Sequence, residues 1–186
     1  MDPHHQPSTA TTVDAAKFFL YYLFMAFSLA VFTFFGQGFM ATFRDSQTAQ
    51  GFGTLLIGMS SIFAGVLIRP QNINNFWIWA YWTFPLHYVL EGLLTSQFND
   101  DMTPIQASPG TDFYDYTVQK NCPDVEDPSS DPSCTIGTAE DWIYTSFGGM
   151  WVPEHIPIDI VYLICAIVVA KAITLFGLSQ KNYLAK

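Results

Sequence analysis

Long charge-free runs alternate with polar stretches along this chain, and the runs exceed what the core of a small soluble domain needs. Phe18 to Phe43 contains no charged residue. As a helix rising about 1.5 Å per residue, this run would reach ~39 Å, more than the ~30 Å hydrocarbon core of a bilayer. It predicts a transmembrane helix, with Gly36 and Gly38 allowing close approach of a neighbour. After the polar turn Arg44, Asp45 and Ser46, a second uncharged run extends to Ile68, with Gly51, Gly53, Gly58 and Gly65 spread along it. Small residues suit helix packing in lipid, where van der Waals contact replaces the hydrophobic drive. A helix pair buried in a large soluble core is the alternative, and the lengths disfavour it.

From Asn72 to Phe98 the pattern changes. Phe76, Trp77, Trp79, Tyr81, Trp82 and Phe84 crowd together, Pro85 interrupts, and His87 and Glu91 follow among apolar residues. Trp and Tyr favour the membrane boundary and Pro breaks helices, so a helix-break-helix that dips into the membrane and returns fits better than a crossing. A fourth full span is the other possibility. Asn99 to His155 reads as an ordered loop with little regular structure, and Ile156 to about Leu178 as a last span. Asp159 lies near one end of that span, and Lys171 is close enough to the other to snorkel outward.

Composition agrees with a membrane class, because half of the residues are hydrophobic and 17 % are aromatic. The formal net charge of −9 comes largely from the stretch between the apolar segments, where Lys120 is the only Lys or Arg. That acidic stretch is a solvated loop, and nothing is built for nucleic acid. Arg44, Lys181 and Lys186 place the first connection and the tail on the cytoplasmic side. The acidic loop and the re-entrant segment are then external, although Lys17 and Arg69 fall on the same outer side. The polar start does not read as a signal peptide. An external start without one leads us to expect upstream spans in a longer protein.

Candidate chemistry is sparse. Cys122 and Cys134, with 11 residues between them, lie in the loop that the charge rule puts outside, where an oxidising compartment favours a disulfide. Two free thiols are the alternative, since only the loop's location argues for pairing. Cys165 reads as a small packing residue within the last span. His4 and His5 sit in the polar start, His87 and His155 are isolated in sequence, and no metal-ligand spacing exists. Neither GxxxxGK[ST] nor GxSxG occurs, so no catalytic residue and no enzyme are expected in this chain itself. Glu91 is the sharpest polar outlier. A carboxylate in an apolar stretch commonly lines a functional path and could act as a polar relay, while a place at the wet interface is the plainer reading.

A set of segments carries a resemblance: Ala-Ala-Lys-Phe-Phe at 15–19, Phe-Ala-Gly-Val-Leu-Ile-Arg-Pro at 63–70, Phe-Trp-Ile-Trp-Ala-Tyr-Trp at 76–82, Pro85, and Gly-Leu-Leu-Thr-Ser-Gln-Phe at 92–98. Their order and spacing resemble the C-terminal part of the membrane domain in G-subfamily ABC exporters, especially the pleiotropic drug resistance branch. The resemblance implies an all-α membrane fold: three transmembrane helices, a re-entrant helical hairpin and a large external loop, forming the second half of a six-helix domain. The chain then divides into a polar external lead-in at 1–16, two transmembrane helices with the re-entrant helices at 17–98, an external disulfide-containing loop at 99–155, and the last helix with a cytoplasmic tail at 156–186.

The resemblance further implies ATP-driven export of lipids, sterols or other hydrophobic small molecules, at the plasma membrane in a multi-pass protein. Thr54, Gly58, Ser61 and Ile62 would line the path, and Val66 and Leu67 would form its outer valve, where the family often has two adjacent Leu. Implied partners are the bilayer, the remaining transmembrane helices, the nucleotide-binding domains and a hydrophobic substrate. ATP and Mg would belong to those domains, with no cofactor and no metal in this chain. Competing readings are a small non-transporting scaffold or receptor-like subunit with an external disulfide loop, and an independent channel, which Phe-rich and nearly charge-free helices do not favour.

Orientation generates the first prediction. Single cysteine reporters at Ser46 and Ser130, probed from outside intact cells, should label at Ser130 and stay protected at Ser46; the opposite pattern refutes the arrangement.

Overall fold

A computed structural model describes residues 8–123 and 132–184 of the chain. His4, His5, Asp124, Glu126, Asp127, Asp131 and Lys186 lie outside the described residues. Two long helices frame the molecule: α1 spans Ser8–Thr42 and α7 spans Ile156–Leu184. Stretches within each, Ala15–Thr42 in α1 and Pro153–Ser179 running into α7, are long and apolar enough to cross a membrane. Helix α1 starts well before the apolar run, so the polar residues from Ser8 onward are already helical rather than an irregular lead-in.

The second helix is shorter than the uncharged run predicts. Helix α2 spans Ser46–Ile62, 17 residues, which at about 1.5 Å each gives ~25 Å against a ~30 Å hydrocarbon core. Its start is fixed by Asp45, whose carboxylate accepts hydrogen bonds from the Thr48 backbone N–H at 3.1 Å and from the Thr48 hydroxyl at 3.2 Å. Its end is set by Gly65, whose φ of +93° is the left-handed conformation that stops a helix. A side chain there would meet Trp151 at 3.1 Å, so the turn also lets the chain pass under that indole. Val66 and Leu67 therefore follow a turn beyond the helix and do not stand on its last turn, a correction to the sequence reading.

The Pro85 break is present. Helix α3 spans Ile78–Thr83 and helix α4 spans Pro85–Phe98, with Phe84 extended between them, as a residue preceding proline prefers. Helix α4 packs against both α1 and α7. Phe24, Val31, Tyr88, Val89 and Leu163 are the buried centre of this three-helix core. Three glycines set its closeness. The Phe24 ring lies 2.1 Å from where a Gly92 side chain would begin; at Gly177 the nearest atom is backbone of Ala41, at 2.8 Å; at Gly38 it is Ile173, at 3.3 Å. Gly36, in contrast, has nothing within 4 Å. Lys17 ties the ends together, donating to the Asn99 carbonyl at 2.6 Å, while the Gln97 side chain donates to the Lys17 carbonyl at 3.0 Å. Lys17 thereby satisfies the carbonyl end of α4 and complements its dipole. Lys171 lies 3.6 Å from the centre of the Phe34 ring, a cation–π contact that accommodates its charge on an apolar helix.

The segment between α4 and α7 is more regular than the sequence reading expects. Strand β1, Pro104–Gln106, pairs antiparallel with β2, Ile136–Thr138, so the fold is not purely helical. Helix α5 spans Asp112–Asn121 behind a Thr111 cap, and helix α6 spans Ala139–Ser146 behind a capping box formed by Thr138 and Asp141. Short polar caps do here what apolar periodicity does elsewhere. Cys122 and Cys134 are joined as a disulfide, their Cα atoms 5.5 Å apart, which closes the ends of α5 and the Pro132–Thr135 turn on each other.

An ion pair adds to this subdomain. Lys120 Nζ lies 2.7 and 2.8 Å from the two Asp141 oxygens. Burial alone would raise the Asp141 carboxyl, but the hydrogen bonds from Lys120 and Thr138 outweigh it and hold it below its ordinary value. The same bond to Asp141 raises the Lys120 ammonium.

Two predictions follow from this packing. Gly177→Leu should part α1 and α7 and lower the thermal midpoint in detergent, an overpacking cost of about 1–3 kcal/mol, whereas Gly36→Leu should leave the midpoint nearly unchanged. For the ion pair, a depressed carboxyl contributes stability that is full above its unfolded value of about pH 3.9 and is lost as pH falls through the lower folded value. The hydrogen-exchange protection of α5 and α6, taken relative to the intrinsic amide rate at each pH, should fall on acidification below about pH 4, and Asp141→Asn should show that loss of protection already at neutral pH.

Candidate functional site

Thr54, Gly58, Ser61 and Ile62 share one stripe of α2, as their spacing of four, three and one along a helix requires. The Thr54 hydroxyl donates to the Gln50 carbonyl at 3.0 Å and the Ser61 hydroxyl to the Ile57 carbonyl at 2.8 Å. Both polar groups are thereby satisfied within the helix, which leaves the stripe effectively apolar. Thr54, Gly58 and Ile62 are exposed, and nothing stands within 4 Å of where a Gly58 side chain would begin. Among the described residues the stripe is a mostly uncovered wall, with Ser61 half-buried. Val66 and Leu67, 56 % and 72 % exposed, come after the Phe63 cap and the Gly65 turn.

Glu91 is not at a wet interface. It is 2 % exposed, and the structure gathers around it residues that are far apart in sequence. Its Oε1 lies 2.9 Å from His155 Nδ1, and its Oε2 lies 3.5 Å from His87 Nε2, an electrostatic neighbour too distant for a good hydrogen bond. His87 and His155 are therefore not isolated, contrary to the sequence reading. Asp159, 1 % exposed, sits one helical turn past His155, and among the described residues its Oδ2 has no hydrogen-bond partner. Burial of this kind is costly unless charges are paired, so the cluster depends on His155 reaching Glu91 across the α4–α7 junction.

Aromatic rings wall the cluster. His87 is fully buried, with its ring 3.9 Å from that of Tyr81 and 4.5 Å from that of Tyr88. Tyr81 accepts a hydrogen bond from Trp151 Nε1 at 2.9 Å, which fastens α3 to the segment leading into α7. Only Glu91 was singled out from the sequence. The signal for the rest was present as two pairs at helical spacing, His87 with Glu91 and His155 with Asp159. Nothing in the chain order says that the pairs face each other. Cys165, read as a packing residue, is a free and exposed thiol on α7. Among the described residues no group of three or more His, Cys, Asp or Glu is placed to hold a metal ion.

Comparison with known proteins gives this geometry a family. Residues 8–98 match the ABC-2 type transporter family. ABC transporter G family member 53 of Oryza sativa subsp. japonica is 37 % identical over 86 residues, covering 46 % of this chain and 6 % of that protein. Pleiotropic drug resistance protein 1 of Nicotiana tabacum is 34 % identical over 92 residues, covering 50 % of this chain and 6 % of its own length. ABC transporter G family member 32 of Arabidopsis thaliana is 34 % identical over 97 residues, 52 % of this chain and 7 % of that protein. The chain thus spans a small fraction of the curated relatives it matches, and the matched part is the half built from α1, α2, α3 and α4. Residues 8–98 are thus similar to the ABC-2 type transporter family, and the relatives that share this part of the chain carry the names of ABC transporter G family members and of a pleiotropic drug resistance protein.

Proposed function

We propose that the chain is the second-half membrane segment of an ATP-driven exporter of hydrophobic small molecules, lipids or sterols among them. The observation that carries this reading is the family match over α1 to α4 combined with the apolar stripe of Thr54, Gly58, Ser61 and Ile62, most of which the described residues leave exposed. A wall whose hydroxyls are satisfied internally offers an apolar solute no group to hold it, as a path for such solutes needs. In this reading a second membrane half closes the path opposite α2. In it α2 is a third membrane crossing that ends at the Gly65 turn, and α3 with α4 form the re-entrant hairpin. The segment at 99–155 faces outward, and the parent is a multi-pass protein of the plasma membrane.

ATP and Mg would be held by nucleotide-binding domains elsewhere in the parent, since this chain carries no GxxxxGK[ST] loop. The role of this chain's residues is to bound the path and to transmit movement. Val66 and Leu67, large and free of polar groups, act as the outer seal, a constriction that opens and closes by dewetting. Glu91, bound to His155, is the polar relay joining the re-entrant hairpin to the last helix.

The test uses a full-length transporter carrying this segment. Val66→Ala with Leu67→Ala should loosen the seal and change substrate-stimulated ATP hydrolysis or export at equal surface expression. Unchanged transport and ATPase activity would make both residues lipid-facing and remove the valve.

A further inference from the structure

A second cavity, apart from the α2 stripe, lies where the end of α4 meets α5, α6 and the segment before α7. It has a volume of about 290 Å³ and its lining includes Phe98, Tyr116, Tyr144 and Trp151 together with Glu140 and Asp141. That volume is close to the lower bound of small-molecule sites, about 300 Å³. We propose that this cavity binds a small amphiphilic organic cation, an ammonium or amidinium head on an apolar body.

The charge account selects a cation. Asp141 is already neutralised, because both its oxygens bind Lys120 Nζ at 2.7 and 2.8 Å. Glu140 is different: among the described residues no donor is hydrogen-bonded to its carboxylate, which feels the Lys120 ammonium only through space, and it is partly withdrawn from solvent. With Lys120 and Asp141 cancelling, the cavity keeps one negative charge. A neutral ligand would desolvate that carboxylate without a partner, whereas a cation supplies one.

The walls select the chemical type of the cation. The Tyr116 and Tyr144 rings stand 5.9 Å apart at 46°, an angled pair in the cavity that Glu140 also lines. The Lys120 ammonium, 5.9 Å from the Tyr116 ring centre, already occupies the neighbourhood of one of them. Tyr144 is the open face, at 46 % exposure. Aromatic faces attract poorly hydrated organic cations within about 6 Å of the ring centre, while a hard inorganic ion would require several oxygen ligands. Ile143, Val152 and Pro153 leave room for an apolar body. The floor is rigid, since Trp151 stacks on Phe147 at 3.6 Å and donates to Tyr81.

Binding here requires neither ATP nor transport, so its failure leaves the export reading intact. The probe is benzyltrimethylammonium, titrated calorimetrically into the purified full chain in lipid nanodiscs, with N,N-dimethylbenzamide as a neutral molecule of similar size. One saturable site for the cation is expected, with the amide at least about tenfold weaker. Glu140→Gln should weaken the cation by about tenfold and leave the amide unchanged. Tyr144→Leu, which keeps the charge, should weaken the cation by a smaller factor. Each variant is checked for an intact Cys122–Cys134 disulfide and an unaltered melting temperature, so that loss of binding is separable from loss of fold. Absence of saturable binding to the wild type, equal affinity for the amide, or full cation affinity in both folded variants overturns the proposal.

Discussion

The packing of this molecule depends on a missing side chain. Gly92 on α4 leaves the space that the Phe24 ring of α1 fills, and any Cβ there would stand 2.1 Å from that ring. This contact draws α4 against α1, and Gly38 and Gly177 do the same between α1 and α7. In an apolar solvent helices gain little from burying apolar surface, so close contact and interhelical hydrogen bonds must supply the attraction. Lys17, Gln97 and Asn99 add hydrogen bonds at one end of the same interface. The exposed apolar side chains of α1, α2 and α7, Phe19, Leu55 and Leu175 among them, are what a bilayer or further helices would cover.

Because α4 is held on two sides, its polar residues are buried with it. His87, Glu91, Thr95 and Ser96 are all nearly inaccessible. Thr95 and Ser96 return their hydroxyls to the Glu91 and Leu93 carbonyls, the usual way a helix disposes of hydroxyls away from water. Glu91 has no such local outlet and reaches across to His155. The Tyr162 hydroxyl, donated to the Thr83 carbonyl, is a second link of the same kind between α7 and the break before α4. Polar contacts thus tie α3 and α4 to α7 and the turn before it, one of them at the carbonyl that the α3–α4 break frees.

The subdomain at 99–155 follows different rules. Its order comes from Thr111 and Thr138 caps, a two-stranded pairing, the Cys122–Cys134 disulfide and the Lys120–Asp141 ion pair. A short chain with little apolar core needs such staples, and a disulfide closing a loop of this size constrains the unfolded chain by about 3 kcal/mol in the entropy account. Gly137 is required by the packing: a Cβ would fall 2.6 Å from Thr117 and 2.7 Å from Phe113. The strand pair thereby lies directly on α5.

The sequence by itself determined the long apolar helices, the Pro85 break and the polar turn before α2, because each is a local property: run length against bilayer thickness, a fixed proline φ, a side chain capping its own helix. The family resemblance was legible for the same reason, as short segments in order. Regular structure in the acidic loop was missed, since capping threonines and three-residue strands have no periodicity to reveal them. The helix end at Ile62 was missed because an uncharged run does not distinguish helix from the left-handed turn at Gly65. The grouping of Glu91 with His87, His155 and Asp159, and the cavity between α4 and α6, belong to tertiary structure alone. Both bring together residues separated by tens of positions, and only the close packing of α1, α4 and α7 decides which faces meet.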